Sequence, residues 1–181
     1  MKIETLEIAG FRSALEALRL PFGLEPRSSL EFLLGTPQIG PDDIRLTLCT
    51  YMKFDPKDIQ LLSTLVKRGD EHAKCIRGIN VYAKITAPIY WWCEMETYTV
   101  GHYRLASEST MHIDCKGLSG EELQVAKASI PMGKELTKID MFNYQNLRNI
   151  YFQRRNHRLP EWKTFIDWVK TLPYSEEFIF C

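Results

Sequence analysis

Residues 141–172 read MFNYQNLRNIYFQRRNHRLPEWKTFIDWVKTL, and the fold turns on how this stretch is read. With Asn143 as cap, a helix from Tyr144 to about Arg155 places Asn143, Leu147, Ile150, Tyr151 and Arg154 on one face, because steps of three and four follow the helical period. That face is apolar in its middle and polar at both ends. A guanidinium in register with a buried stripe either reaches water along its own stem or meets an anion, since burying it unpaired is too costly. Pro160 and Pro173 bracket a further helix, whose Trp162, Phe165, Ile166 and Val169 form a strong apolar stripe.

Upstream, Ile79, Val81, Ala83 and Ile85 alternate with Asn80, Tyr82, Lys84 and Thr86, the pattern of a strand with one apolar face. Ala87-Pro88 ends it and opens a helix through Ile89-Tyr90-Trp91-Trp92, with Glu94 and Glu96 on the next turn. The adjacent tryptophans suit either a core or a stacking surface for a planar ligand. Near the N-terminus, Lys2 to Ile8 reads as a strand, broken by Gly10, and Phe11, Leu15 and Leu18 give a helical stripe up to Pro21. Phe22 to Gly40 is expected to be mostly irregular. Pro41-Asp42-Asp43-Ile44 and Pro56-Lys57-Asp58-Ile59 both place proline at a first helical position with acid in the first turn, so each is expected to open a helix. In the second, Ile59, Leu62, Leu65 and Val66 make the buried face and Gly69 the stop. Asp70 to Arg77 is expected as another helix, Tyr98 to His112 as a polar loop, Ser119-Gly120-Glu121-Glu122 as a helix start, Pro131-Met132-Gly133 as a loop, and Tyr174 to Cys181 as an extended tail.

At 181 residues the chain suits one domain, 1–181, with a real core. Hydrophobic residues make up 45% and charged ones 25%, which is ordinary globular composition. Twenty-three basic and 23 acidic residues balance, so no overall field steers the chain toward nucleic acid or a membrane, and any anion must be held by a local cluster. Five cysteines without a C-x-x-C pair fit a reducing compartment, and no apolar run approaches a membrane span. A soluble cytoplasmic protein is expected. The four histidines lack ligand spacing, so no metal site is expected, and H-E-x-x-H, G-x-S-x-G, P-loop and G-x-G-x-x-G patterns are absent from the sequence.

Asn143-x-x-x-Leu147-x-Asn149-x-x-x-x-Arg154, with His157 and Glu161-Trp162 following, resembles the C-terminal helix motif of the flavin-dependent thymidylate synthases. Gln145 stands where that family usually has arginine. The resemblance implies an α+β fold with a mixed, largely antiparallel sheet flanked by helices. It also implies FAD as cofactor, Asn143 and Asn149 on the flavin side, and Arg154 touching and polarising the pyrimidine of dUMP. Glu108-Ser109-Thr110-Met111-His112 resembles the end of the family's Arg-His-Arg-x7-Ser signature, which makes Ser109 and Thr110 phosphate-side hydroxyls. Thr99-Val100-Gly101 then occupies the place of Arg-His-Arg without a basic residue, and Met111 the place of a phosphate-holding arginine. His102, toward the cofactor, and Arg104, toward the substrate, are the nearby replacement cations.

A nucleotide monophosphate brings about two negative charges, and a hydrogen bond to a charged group contributes roughly 1.5–3 kcal/mol, so losing several basic residues weakens the expected binding by several kcal/mol. The resemblance therefore supports the fold more strongly than the reaction. The expected function is a diverged member binding a pyrimidine nucleotide, FAD or both in an inter-subunit pocket, with the parent reaction lost or altered. Two alternatives stay open: active one-carbon transfer to dUMP, and a non-catalytic phage-encoded sponge for a signalling nucleotide. Family members are homotetramers, so a homo-oligomer is implied, and Tyr90, Trp91, Trp92, Tyr151, Phe152 and Trp162 serve either such an interface or one core.

Overall fold

The structure, a computed structural model, describes residues 1–31 and 51–181, with residues 29–31 and 51–53 described by their backbone pairing only. The alternating segment forms β4 (Asn80–Pro88), the strand on which the main sheet is built. On one side it pairs with β1 (Lys2–Ala9), Ile3 opposite Ile85 and Ile8 opposite Val81, with a bulge between Thr5 and Glu7. On the other side lies β6 (Glu135–Asn143), which in turn carries the edge strand β5 (His102–Ser107). The sheet order is β1-β4-β6-β5 and every pairing is antiparallel. A separate short ribbon joins β2 (Ser29–Glu31) to β3 (Tyr51–Lys53). An α+β architecture with an antiparallel sheet flanked by helices follows, as expected.

Because side chains alternate across a strand, Val81, Ala83 and Ile85 share one face with Lys138, Asp140 and Phe142. Helix α7 (Pro160–Lys170) packs on this inner face, Phe165 and Trp168 meeting the Phe142 ring at 5.8 and 6.2 Å. Trp168 Nε1 donates to Thr5 Oγ1 at 2.9 Å, which ties the same helix across to β1. Burying apolar area contributes about 25 cal/mol per Å², and the tryptophans, buried here rather than free for an interface, supply much of it. Trp91 on α3 (Ile89–Met95) touches the rings of Trp162 at 5.1 Å and Phe165 at 5.7 Å, and all three are buried.

A second aromatic group joins α1 (Phe11–Arg19), α2 (Pro56–Arg68) and α8 (Ser175–Phe178). There Phe11 meets Phe54 edge-on at 5.4 Å and Tyr144 at 5.7 Å, while Tyr174 stacks on Phe178. Helix α2 starts where expected, Asp55 capping it through Lys57 N at 2.8 Å, and stops at Gly69 with φ of 121°. Its Asp58 is fully buried and accepts from Arg19 Nε at 2.7 Å and from Ser28 N at 2.8 Å, fixing the chain after α1 against α2.

Three expectations are corrected. The polar segment Tyr98 to His112 contains β5 and the short α4 (Thr110–Ile113) rather than a loop. Asp70 to Arg77 forms no full helix and yields only a 3-10 turn at Lys74–Gly78, and the tail forms α8 instead of extending. Strand β6, for which no expectation existed, is central. Helix α5 (Gly120–Ala128) begins at the predicted Ser119-Gly120 start. The Pro41 helix start and residues 32–40 of the Phe22 to Gly40 segment lie outside the described residues.

Candidate functional site

Helix α3 ends in Glu94-Met95-Glu96, which puts carboxylates at the end of a helix where the partial charge is already negative. Cations from three other elements offset them. Glu94 Oε2 faces Arg154 Nη1 at 2.9 Å, accepts from Trp162 Nε1 at 2.9 Å, and lies 3.6 Å from His157 Nε2. Glu96 Oε1 accepts from Lys138 Nζ at 3.1 Å and from Arg104 Nη1. The two acids thus point into two separate charge groups.

The first group is the end of α6 (Tyr144–Arg154) against α3 and α7. Arg154 Nε donates to Tyr98 Oη at 2.6 Å, and its guanidinium lies 4.7 Å from the Trp162 ring and 5.4 Å from that of Tyr98. Its side chain is only 18% exposed, so of the two choices the sequence left open it takes the anion. Cation–π contact and the carboxylate together hold it. His157 Nδ1 accepts from Leu159 N at 3.2 Å, which leaves the proton on Nε2, facing Glu94.

The second group sits on the inner face of β5 and β6. Asp140, with no exposure, accepts from His102 Nε2 at 2.8 Å, Arg104 Nε at 3.0 Å and Arg104 Nη2 at 3.1 Å. Burial pushes its carboxyl up, but the hydrogen bonds from His102 and Arg104 outweigh that and hold it below the usual carboxylate range. Glu96 behaves alike: burial raises it and the bonds from Arg104 and Lys138 bring it below its ordinary value. Arg104 and Lys138 lie 5.0 and 4.5 Å from the Trp92 ring, and burial pushes the Lys138 ammonium down. The His102 ring lies flat on Phe142, with centroids 4.7 Å apart.

The turn between Tyr98 and β5 links the groups. Gly101, at φ of 79°, lies so close to Asn143 that an added Cβ would sit 2.5 Å from its side-chain amide. Asn143 N donates to Gly101 O at 2.8 Å, and the Asn143 side chain accepts from Asn146 N at 2.8 Å as the cap of α6. Asn146 Nδ2 in turn donates to Tyr98 O at 3.2 Å and Val100 O at 2.8 Å. Asn143 is therefore a capping residue. Replacing it with alanine is expected to cost about 1 kcal/mol of stability, read by urea denaturation.

Among the residues named from sequence, Arg154 joins Tyr98, while His102 and Arg104 meet at Asp140. Asn143 lies between the two groups. Asn149 turns its Oδ1 toward Gln145 Nε2 at 3.4 Å, and Gln145 Nε2 also donates to Asp70 Oδ1 at 2.8 Å, so that the arginine position of the motif holds a buried amide on a carboxylate. Ser109 and Thr110 stand apart, beyond the far end of β5, where Lys127 Nζ bonds Thr110 Oγ1. From Gly101 to Ser109 the chain advances on the order of 20 Å. Lys138 and Asp140 were not found from sequence, and Glu94 and Glu96 were read there only as acids on the turn after the tryptophans. The acidic end of α3 was visible there, but nothing local revealed which cations would meet it.

Two solved structures align over the whole chain. Both are of the flavin-dependent thymidylate synthase ThyX from Helicobacter pylori in complex with FAD and dUMP. The first aligns with a TM-score of 0.67 at 12% identity, covering 100% of this chain and 99% of that one. The second gives 0.66 at 11%, covering 99% and 97%. The fold is that of the flavin-dependent thymidylate synthases. A comparison with family profiles found no match, and neither did one with curated protein sequences. At such identity the likeness carries the fold alone. Within it, Asn143 caps α6, which carries Asn149 and Arg154, and residues 99–101 lie in the turn before β5. Among the described residues no helix is long and apolar enough to cross a membrane, and no cluster of three or more His, Cys, Asp or Glu is placed to hold a metal ion.

Proposed function

We propose that this chain is a diverged relative of the flavin-dependent thymidylate synthases that binds the pyrimidine of a nucleotide-type ligand at Arg154, with the parent reaction lost or altered. The observation that carries the reading is the placement of Arg154, turned inward between the Trp162 and Tyr98 rings at the end of the motif helix. Its Nε–H is used by Tyr98 and its Nη1 is ion-paired with Glu94, and the N–H groups that remain suit the carbonyl oxygens of a planar ring.

The neighbouring structures hold FAD and dUMP, both of which carry phosphate. Among the described residues, the cations of the two charge groups do not fit phosphate well. Arg154 faces Glu94, Arg104 faces Asp140 and Glu96, Lys138 faces Glu96, and the Tyr98–Gly101 turn adds no cation. An anion would have to displace a carboxylate from each, so no catalytic step is assigned through a flavin. The same pairing weighs against retained one-carbon transfer to dUMP and against a phage-encoded nucleotide sponge, since each must hold phosphate. If Ser109 and Thr110 share a site with Arg154, a second copy of the chain supplies them, because within one chain they lie at opposite ends of β5. That is the ground for proposing a homo-oligomer, a tetramer by family likeness.

Arg154→Ala is expected to weaken binding of a pyrimidine ligand roughly 10- to 100-fold, the equivalent of about 1.5–3 kcal/mol for a hydrogen bond to a charged group. Stability should fall by about 1 kcal/mol or less, because the ion pair is partly exposed. Calorimetric titration and a melting curve on the same preparation read both. A large stability loss with binding intact would make Arg154 structural. Mass spectrometry of small molecules released on denaturation, with the visible absorption spectrum, identifies what the freshly purified protein carries and whether it holds flavin.

A further inference from the structure

We infer that the excursion between β5 and β6, residues 109–134, is a docking arm that the same arm of a second copy of this chain covers in solution. The inference rests on the homo-oligomer proposed above and names its surface, without involving the ligand. Helices α4 and α5 stand outside the core: no residue between Tyr98 and Leu136 joins the apolar cluster that the sheet, α3 and α7 build. Within the excursion only Cys115 is buried, and α5 has no buried residue at all. Its two helices are tied by polar contacts, Lys127 Nζ to Thr110 Oγ1 and, at the exit, Lys134 Nζ to Asp114 Oδ1.

A helix as short as α5 is marginal in water without packing, because its few hydrogen bonds barely offset the cost of nucleation. The excursion nevertheless turns apolar side chains outward: Met111, Ile113, Leu118, Val125 and Met132 are 42, 57, 37, 61 and 52% exposed. Together they present roughly 450 Å² of apolar surface, which matches one side of an interface burying about 800 Å² per partner, a little over half of it apolar. Charge favours a second copy as the occupant. Residues 109–134 carry three acids, Asp114, Glu121 and Glu122, and three lysines, Lys116, Lys127 and Lys134, so two arms meet without net repulsion. One patch meeting its own copy about a two-fold axis covers both arms and leaves no open surface to propagate. Ser109 and Thr110 begin α4, so the docked arm carries these hydroxyls with it.

The test is sedimentation of four proteins: wild type, Ile113→Asp, Val125→Asp and Leu20→Asp. Leu20 is 76% exposed and lies outside the excursion, so its substitution adds the same charge to another apolar position. Wild type is expected to be oligomeric at on the order of 10 µM. Ile113→Asp and Val125→Asp should each raise the dissociation constant roughly tenfold or more, and Leu20→Asp should leave it within about threefold. Hydrogen exchange on wild type gives a second readout that needs no substitution: the amides of α5 should be protected in the oligomer and lose protection on dilution, while those of β4 stay unchanged. Wild type sedimenting as a monomer overturns the arm and the homo-oligomer together, and leaves ligand binding at Arg154 to its own titration. An oligomer that both excursion variants leave intact, or that Leu20→Asp weakens equally, overturns the arm alone. So does protection of α5 that does not change with concentration.

Discussion

Asp140→Ala is expected to lower stability by about 3–5 kcal/mol, the usual consequence of removing one partner from a buried charge group. Asp140 has no exposure and is the only carboxylate bonded to His102 among the described residues, while Arg104 places two nitrogens on it. Without it, His102 loses its carboxylate and Arg104 keeps only Glu96, on an inner face of the sheet that water reaches poorly. For a chain of this size the melting temperature should fall on the order of 10 °C. Urea denaturation of the variant checks the magnitude.

The acid limb gives an independent check. Because the folded-state carboxyl of Asp140 is held below its ordinary value, its contribution is complete above the unfolded value of about 3.9. It is lost as pH falls from there through the folded value. Wild type should therefore lose this part of its stability below about pH 4, and Asp140→Asn, which cannot titrate, should show a flatter acid limb. Equal slopes in the two proteins would mean that His102 and Arg104 do not stabilise the charged form.

Trp162→Ala should cost a further about 3–5 kcal/mol in its own right, by cavity formation in the core. The ring is fully buried and lies 5.1 Å from Trp91, 5.8 Å from Phe165 and 5.8 Å from Tyr98. The same side chain supports the site: its N–H holds Glu94 and its face carries Arg154 at 4.7 Å. Trp162→Phe should recover about half of the lost stability by filling most of the volume, but not the N–H. If the phenylalanine variant binds ligand as wild type does, the indole N–H has no part in placing Glu94, and its role is packing alone. Denaturant curves and ligand titration on both variants separate these effects.

Parts of this protein were legible because local pattern and tertiary environment agree. Strand β4 alternates because its inner face is apolar and its outer face polar, and the sequence shows that directly. Helices α1, α2 and α7 show the stripes that their burial later uses, and the Asn143 cap was visible because a cap depends on residues three apart. Strands β5 and β6 were hidden for the opposite reason. Their inner positions include His102, Arg104, Lys138 and Asp140, while Tyr103 and Leu105 point outward and are exposed. Polarity there is reversed: the charged positions face inward and the apolar ones outward, so the alternation does not mark the buried face.

By itself, then, the sequence determined the motif helix, its capping asparagine, the aromatic stripe that packs beneath it and the likeness to one fold. Only the tertiary structure decided what becomes of the charges. A guanidinium's partner is set by which distant carboxylate the folded chain brings within about 3 Å, and Glu94 is 60 positions from Arg154. Coulombic pairing depends on separation in space, not on separation along the chain, so no local pattern encodes it.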